Sequence, residues 1–327
     1  MLTVLIATRN GGQTLPRVLQ AYTSLVAPSS GWKLVVVDNG STDNTRDIVH
    51  WFRGSLPLTY MFEGKLGKNA ALNTGLPQLD GDLAVFTDDD TFPSADWLIR
   101  LRSAADDHPS YSMFGGVVLP RWQVPPPEWL SYVPPEPFFS ISNPALMEGP
   151  TAAGTLFGPN MAIRAEVFKK GTRFDESIGP CGSSYAMGGE TELVLRLARQ
   201  GHKAWHVHGA VVEHFIREYQ MDKSWLLSRA ILFGRGRFRL SQGEQPAALP
   251  RWPLLAAYLA PRMCRRIVRI AGAWLTSNER KLFTAHRELN YNWGLVIEAH
   301  RMHREAVCSD PQALETKRYL AKADNTS

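Results

Sequence analysis

The run Thr87-Asp88-Asp89-Asp90-Thr91-Phe92-Pro93 sets three carboxylates directly behind the apolar run Leu83-Ala84-Val85-Phe86. Four apolar residues of this kind have the character of a buried strand. The acids therefore arrive at a strand's carboxyl end, where open α/β sheets bind their ligands. On an extended chain, alternation sets Asp88 and Asp90 on one side, within reach of one hard cation. Mg²⁺ or Mn²⁺ takes few protein carboxylates and fills its other positions with water and phosphate oxygens. A solvated acidic turn explains an isolated triplet equally well.

Further carboxylates fall at comparable places. Asp38 closes the apolar run Trp32-Lys33-Leu34-Val35-Val36-Val37. Glu190 and Glu192 follow Gly188-Gly189 and open an amphipathic helix with Leu193, Leu197 and Ala198 inward, ended by Gly201. One sheet edge carrying Asp38, Asp88 and Asp90 could hold a nucleotide, its base near the first two strands and its diphosphate on a metal near the fourth. Lys68 lies between them in sequence and could approach the phosphate charge. His214 follows a β-like run and could complete the metal shell or meet the diphosphate; a purely structural histidine is the alternative. His206, His208 and His214 do not have helical ligand spacing, and no zinc site is read from them.

The elements that must position these groups alternate. Leu2 to Ala7 reads as a first buried strand, followed by the polar turn Thr8-Arg9-Asn10-Gly11-Gly12 and a helix burying Leu15, Val18, Leu19, Tyr22 and Leu25. The second strand is followed by a helix through Ile48 and Phe52, opened by Ser41 or Thr42 with Asp43. Leu58 to Phe62 is a third strand, and Lys68 to Leu76 a helix stopped by Pro77. Gly115 to Leu119, Gly158 to Ile163, Ala204 to Val207 and Ala210 to Glu213 read as later strands. This alternation predicts an α/β fold with a mostly parallel, doubly wound, Rossmann-like sheet. Between Pro120 and Pro150, many prolines and five aromatic residues exclude a regular helix and point to a long ordered loop that serves function. Its Trp122, Trp129 and Tyr132 could stack on an acceptor sugar or simply pack the loop down. Beyond Tyr219 the pattern is helical: Ser224 to Phe233, Leu254 to Leu275 and Glu279 to His303. The polar run from Ser241 to Pro246 divides residues 1–240, a catalytic domain, from residues 241–327, a helical C-terminal tail.

The ordered set of motifs resembles a family 2 glycosyltransferase with the GT-A fold. Its carriers are Leu5-Ile6-Ala7-Thr8-Arg9-Asn10, Val36-Val37-Asp38-Asn39-Gly40-Ser41-Thr42-Asp43, Gly67-Lys68-Asn69-Ala70-Ala71-Leu72-Asn73-Thr74-Gly75, Asp88-Asp89-Asp90, Gly188-Gly189-Glu190-Thr191-Glu192-Leu193 and His214. Each alone is weak; in order, over about residues 1–240, they are strong.

The resemblance implies inverting transfer of a sugar from a nucleotide-sugar donor, a UDP-sugar foremost, to a hydroxyl of a glycan or lipid-linked acceptor. It implies that the segment of Thr8 and Asn10, together with Asp38, receives the base and ribose. Lys68 and the aspartates Asp88, Asp89 and Asp90 would hold the phosphates and a Mg²⁺ or Mn²⁺ ion, with His214 at the metal, and Glu190 would deprotonate the acceptor. Arg229 falls where the family tends to place basic residues near the nucleotide; a solvated basic helix face is the alternative. Many members carry Glu-Asp where this chain has Gly189-Glu190, which leaves both Glu190 and Glu192 as candidates for the base. The helix start favours Glu190, since Glu192 could serve only to complement the macrodipole. The Gln-x-x-Arg-Trp motif of processive synthases is absent, because Gln220-Met221-Asp222-Lys223-Ser224-Trp225 does not match it.

Composition narrows the class. Of 327 residues, 44% are hydrophobic and 20% charged, as in ordinary globular proteins. The net charge of +5 is concentrated in arginines from Arg229 to Arg269 rather than spread over the chain, which speaks against nucleic acid as a partner. Three scattered cysteines make neither a disulfide framework nor a zinc pattern and fit a reducing cytoplasm. No run of about 20 apolar residues is present to span a bilayer, and no signal peptide is read at the start. The tail mixes Leu254, Leu255, Tyr258, Leu259, Ile267, Ile270 and Trp274 with Arg262, Arg265, Arg266 and Arg269. Such a helix could lie on anionic lipid at the inner face of the cell membrane, or pack on the catalytic domain or on a second subunit of a homo-oligomer. A role in bacterial surface polysaccharide or glycoconjugate assembly is the expectation. Two rivals are a sugar nucleotidyltransferase and a carbohydrate-binding protein with a degenerate site. The first would want a basic glycine-rich loop after the first strand, of which Thr8 to Gly12 is a faint version.

Overall fold

Valine, leucine and isoleucine fill both faces of the first strands, so those strands must lie inside a layered structure. A computed structural model describes residues 1–133, 135–182, 185–242 and 252–309. The polar segment 243–246 of the expected domain boundary and the polar end 321–327 lie outside the described residues. The chain forms two compact units. One comprises Met1–Ser183 and Gly188–Asp222, the other Ser184–Met187 and the chain from Lys223.

The first unit is built on a nine-stranded sheet: β1 (Leu2–Thr8), β2 (Trp32–Asp38), β3 (Leu58–Phe62), β4 (Leu83–Asp88), β5 (Thr91–Pro93), β6 (Met113–Trp122), β7 (Gly149–Thr151), β8 (Met161–Arg164) and β9 (Ala204–Ile216). The spatial order is β3-β2-β1-β4-β8-β6-β9-β5, with β7 on β9. The pairs among β1 to β4 are parallel, as the alternation predicts. Beyond β4 the sheet is mixed: β8 is antiparallel to β4 and β6, β6 runs parallel to β9, and β5 and β7 are antiparallel to β9.

The helices of this unit are α1 (Leu15–Tyr22), α2 (Thr45–Trp51), α3 (Lys68–Gly75), α4 (Trp97–Asp107), α5 (Pro135–Phe139), α6 (Ala165–Lys169) and α7 (Gly189–Arg199). Side-chain alternation along the strands produces two cores. On one face Leu2, Val4 and Ile6 meet Leu15, Val18 and Leu19 of α1 and Trp97, Leu98 and Leu101 of α4. On the other, Leu5, Val35 and Phe86 meet Ala71 and Leu72 of α3 and Leu193 and Leu197 of α7. Each fully buried leucine among these is worth about 1.5–3 kcal/mol of transfer free energy, which fixes the strand register.

Two readings of the sequence are corrected here. The runs 204–207 and 210–213 belong to one strand, β9, whose register against β6 slips between Gly116 and Val117. The buried Asn160 side chain makes that irregularity affordable: its Nδ2 donates to the Val117 and Ala210 carbonyls at 2.9 and 2.8 Å, while its Oδ1 accepts from Trp97 Nε1 at 2.8 Å. Strand β6 also runs past Leu119 through Pro120 to Trp122. Among the described residues only β9 pairs with that end of β6, and an edge tolerates a residue without an N–H. The rest of the proline-rich segment is mostly loop, with a 3₁₀ turn over Glu128–Tyr132 and the short α5.

The second unit contains α8 (Lys223–Gln242), α9 (Trp252–Leu275) and α10 (Glu279–Ser309), with α8 and α9 both packed on α10. Helix α8 continues beyond Phe233 through Gly234 and Gly236. A Cβ on Gly234 would lie 2.0 Å from the Tyr291 carbonyl of α10, so the glycine serves close helix packing rather than helix termination. The Glu298 carboxylate, fully buried, joins these helices by accepting from Arg235 Nε at 2.7 Å and Arg239 Nε at 2.5 Å. No helix among the described residues is long and apolar enough to cross a membrane.

Candidate active site

Register brings the polar ends of three strands together. Thr8 of β1 pairs with Asp38 of β2, and Ala7 pairs with Asp88 of β4. The carboxyl edge of the parallel strands therefore presents Thr8, Asp38 and Asp88 side by side, as doubly wound sheets do at their ligand crevice.

Asp38 is buried and committed to the loop geometry. Its Oδ1 accepts from the Ser41 amide at 2.9 Å and its Oδ2 from the Tyr60 hydroxyl at 3.0 Å. Asn10, with a φ of 54°, accepts from the Thr42 amide at 2.8 Å and so ties the β1 turn to the β2 turn. Asn39 makes a matching brace, donating to the Glu63 and Lys65 carbonyls and accepting from the Gly67 amide at 2.8 Å. These contacts hold open a cleft of about 260 Å³ lined by Thr8, Arg9, Asn39, Gly67, Lys68, Asp89 and Cys181.

The acidic triplet does not continue as a strand. Strand β4 ends at Asp88, and Asp89-Asp90 form the turn into β5. Alternation therefore stops governing the side chains, and the three carboxylates reach three different partners. Asp88 Oδ1 accepts from Lys68 Nζ at 2.5 Å. Asp89 does not point away from the cleft; its Oδ2 accepts from Thr8 Oγ1 at 2.5 Å. Burial, with Asp90 and Asp88 adding to it, pushes Asp89 up to about 7. Asp90 faces His214 Nε2 at 3.4 Å and Arg217 at 2.9 Å. Burial works against its charge, but His214 and Arg217 outweigh that and hold it down at about 2.

Lys68 is the junction of the site. It opens α3, and its ammonium lies 2.5 Å from both Asp88 and Glu190, with all three side chains about four-fifths buried. Burial disfavours the ammonium, yet the two carboxylates prevail and hold it above the ordinary lysine range. Glu190 is the reverse case: burial opposes its charge, and Lys68 keeps it below the ordinary glutamate range. Glu190 is placed by α7, whose first residue, Gly189, has no room for a side chain. A Cβ there would lie 2.6 Å from Asn69 Nδ2. Asn69 is itself fixed, donating to the Asp175 and Ile178 carbonyls at 2.7 and 2.9 Å. Glu192, two residues on, turns to Arg196 instead, with Nε–Oε1 and Nη2–Oε2 distances of 2.8 and 2.9 Å. Two residues is more than half a helical turn, so the two glutamates point in different directions.

The donors at Asp90 suit an open cation site. His214 Nδ1 hydrogen-bonds the Phe139 carbonyl at 2.6 Å, which orients the ring and turns Nε2 toward Asp90. Burial works against a charge on His214, but Asp90 raises its pKa above the ordinary histidine value. One carboxylate and one imidazole fit a Mg²⁺ or Mn²⁺ site completed by phosphate and water. Among the described residues, no three His, Cys, Asp or Glu side chains enclose a metal.

Two features escaped the sequence reading. Arg217, directly after β9, sits on Asp90; its signal was a base three residues past His214 at a strand end. Phe139 of the proline-rich segment orients His214 through a backbone carbonyl, which no residue pattern reveals. Within that segment Trp122 meets Phe139 edge-on, with ring centroids 5.5 Å apart. Arg229 belongs to the second unit, where its guanidinium lies 4.8 Å from the Trp225 ring centroid.

The chain thus combines a mixed sheet with a parallel half, a carboxylate-rich strand end and a basic residue set between acids. The model of glycosyl transferase family 2 matches residues 3–172, over half of the chain, and the protein belongs to that family. The glycosyltransferase AglE of Haloferax volcanii is 26% identical over 241 residues, 73% of either chain. The glucosyl-dolichyl phosphate glucuronosyltransferase of the same organism is 26% identical over 171 residues, 51% of either chain. Among solved structures, the mannosyltransferase PcManGT of Pyrobaculum calidifontis, in complex with GDP-Man and Mn²⁺, superposes with a TM-score of 0.57 at 19% identity, covering 98% of this chain and 79% of that one. TarS residues 1–349 of S. aureus with UDP gives 0.53 at 16% identity, covering 92% and 91%. These likenesses establish the GT-A fold.

Proposed function

We propose that the protein is an inverting, metal-dependent glycosyltransferase that moves a sugar from a nucleotide-sugar donor to a hydroxyl of a glycan or lipid-linked acceptor. The observation that carries this reading is the Lys68 ammonium held between Asp88 and Glu190. A sugar hydroxyl is a poor nucleophile and needs a positioned, ionised base. Glu190 has that character, because Lys68 keeps its charge in a largely buried place. Glu192 does not compete for the role in this reading, since its carboxylate is engaged by Arg196.

On the donor side, Thr8, Asn10 and Asp38 frame the place for the base and ribose. Lys68 and Asp88 border the place for the diphosphate. Asp90 and His214 would hold Mg²⁺ or Mn²⁺, which when bound supplies positive charge to the departing nucleoside diphosphate. Arg217 neutralises Asp90 from the other side and limits the carboxylate's repulsion of incoming phosphate. GDP-Man with Mn²⁺ is bound by PcManGT and UDP-GlcNAc by TarS, which supports a nucleotide-sugar donor here without choosing the base. A relative that acts on a dolichyl phosphate sugar supports a lipid-linked acceptor. In this reading residues 1–240 carry catalysis, residues 241–327 form an extension, and the enzyme works in glycoconjugate assembly on the cytoplasmic side of a membrane.

The test is a screen of nucleotide sugars for metal-dependent transfer, followed by two variants. Glu190→Gln keeps size and hydrogen bonding but removes basicity, so donor affinity should hold while transfer falls by roughly two to four orders of magnitude. Glu192→Gln should leave transfer nearly intact and lower the melting temperature by loosening Arg196. If Glu192→Gln is the variant that loses transfer, the base is misassigned; if neither loses it, the inverting mechanism fails.

A further inference from the structure

Helix α9 exposes an apolar stripe for its whole length. Leu254, Ala257, Pro261, Cys264, Val268, Ala271 and Leu275 recur at alternating spacings of three and four, and all are exposed. Leu254 is 60%, Val268 71% and Leu275 76% exposed. Leu259 and Ala273, on the opposite side, are the residues that α9 buries. Ordinary amphipathic helices turn their one apolar face inward; this helix packs Leu259 and Ala273, with the half-buried Leu255, Met263 and Ile270, inward and keeps a second apolar face outward.

Arginines border the stripe. Arg262, Arg265, Arg266 and Arg269 follow one flank, and α9 contains no Asp or Glu. Ile267 and Trp274, 55% and 71% exposed, extend the apolar surface on the other flank. At its C-terminal end the helix opens on a groove of about 670 Å³ shared with α10 and lined by Arg269, Arg280 and Lys281 together with Thr276 and Thr284. Glu288, the carboxylate of that groove, already faces Arg266 at 3.1 Å and Arg269 at 4.0 Å.

We infer that α9 is an interfacial helix that docks the protein on an anionic phospholipid surface. The apolar stripe enters the acyl boundary, the arginine flank meets phosphate headgroups, and the basic groove receives a headgroup. Trp274 and Tyr258, at 71% and 62% exposure, are of the type that settles at the headgroup level. A second copy of this chain is the poorer occupant: pairing α9 antiparallel with α9 would bring two arginine flanks together, and in either orientation neither helix offers an acid to the other's arginines. The inference stands on the second unit alone and does not depend on the transfer reaction.

The experiment is flotation of the full chain with vesicles of phosphatidylcholine alone and of phosphatidylcholine with phosphatidylglycerol. Binding is expected to the anionic vesicles and to fall steeply at high salt. Arg265→Ser with Arg269→Ser should weaken it by about 30-fold, the worth of two arginines near such a surface. Leu254→Glu with Val268→Glu should abolish it through the apolar stripe. All four positions are exposed or carry no internal core contact, so the melting temperature should be unchanged, and either pair suffices for the test. Equal binding to neutral and anionic vesicles, or equal binding of wild type and both variants, would overturn the inference. So would a concentration-dependent dimer, seen by light scattering, that Val268→Glu dissolves while no vesicle binding is found.

Discussion

At the residue scale, the site is organised by cations that sit among acids. Lys68 serves Asp88 and Glu190 at once, and Arg217 serves Asp90. Without the Lys68 charge, Glu190 would keep its burial and lose what offsets it, so its pKa would rise. Lys68→Met is therefore expected to move the acidic limb of the transfer rate to higher pH, because in the proposed mechanism Glu190 must be ionised to act as the base. Donor affinity should drop by about ten- to a hundredfold, the worth of a charge-assisted contact to phosphate. Transfer rates measured across pH, with calorimetric titration of a nucleoside diphosphate, check both. An acidic limb that stays in place would mean that Lys68 does not set the ionisation of Glu190.

At the scale of elements, Glu190 depends on two neighbours that allow it no slack. Helix α7 starts on Gly189 because Asn69 occupies the space a side chain would need. The 3₁₀ turn Gly158–Asn160 that leads into β8 presses from another side, since a Cβ on Gly158 would lie 2.6 Å from Glu190 Oε1. Gly158→Ala should therefore displace the Glu190 carboxylate without touching the donor cleft. With Glu190 as the proposed base, transfer should fall by about tenfold or more, because misplacement by even 1 Å is costly. Nucleoside diphosphate affinity should be unchanged. Loss of affinity in parallel with rate would show instead that the turn supports the whole cleft.

At the scale of the whole molecule, two buried histidines give stability opposite dependences on pH. Burial lowers the pKa of His206, which is 2% exposed and whose Nε2 has no hydrogen-bond partner among the described residues. Below about pH 6.5 the unfolded chain therefore binds more protons at this position than the folded one, and stability falls as pH drops through that value. His214 acts the other way: its raised pKa stabilises the fold fully below about pH 6.5, and that contribution fades as pH rises through the raised value. His206→Gln removes the first term and leaves the second. The melting temperature of the variant relative to wild type should then increase as pH is lowered from about 8 to about 5 by scanning calorimetry. A difference that is flat with pH would show that His206 does not titrate on unfolding.

The succession of strands and helices, the parallel half of the sheet and the candidate acids were legible in the chain, because apolar periodicity and strand-end polarity are local properties. Asp38 and Asp88 could be placed at one edge for the same reason: each closes a strand whose direction the alternation dictates, whereas Lys68 could be placed only between them in sequence. The partner of each acid was not legible. Asp89 turns to Thr8 and Asp90 to His214 and Arg217 because β4 ends at Asp88, two residues short of Asp90, and a turn has no period to extrapolate. The helix start favoured Glu190 over Glu192, and the pair of Glu192 with Arg196 is an i,i+4 contact within α7, but the surroundings of Glu190 were left to packing, since Lys68, Asn69 and Gly158 come from distant parts of the chain. Likewise, the sequence of α9 shows leucines and arginines at helical spacing, but only its contact with α10 decides which face is left outward. Local pattern determines what an element is; which of its faces and charges remain for chemistry depends on neighbours that sequence separation does not predict.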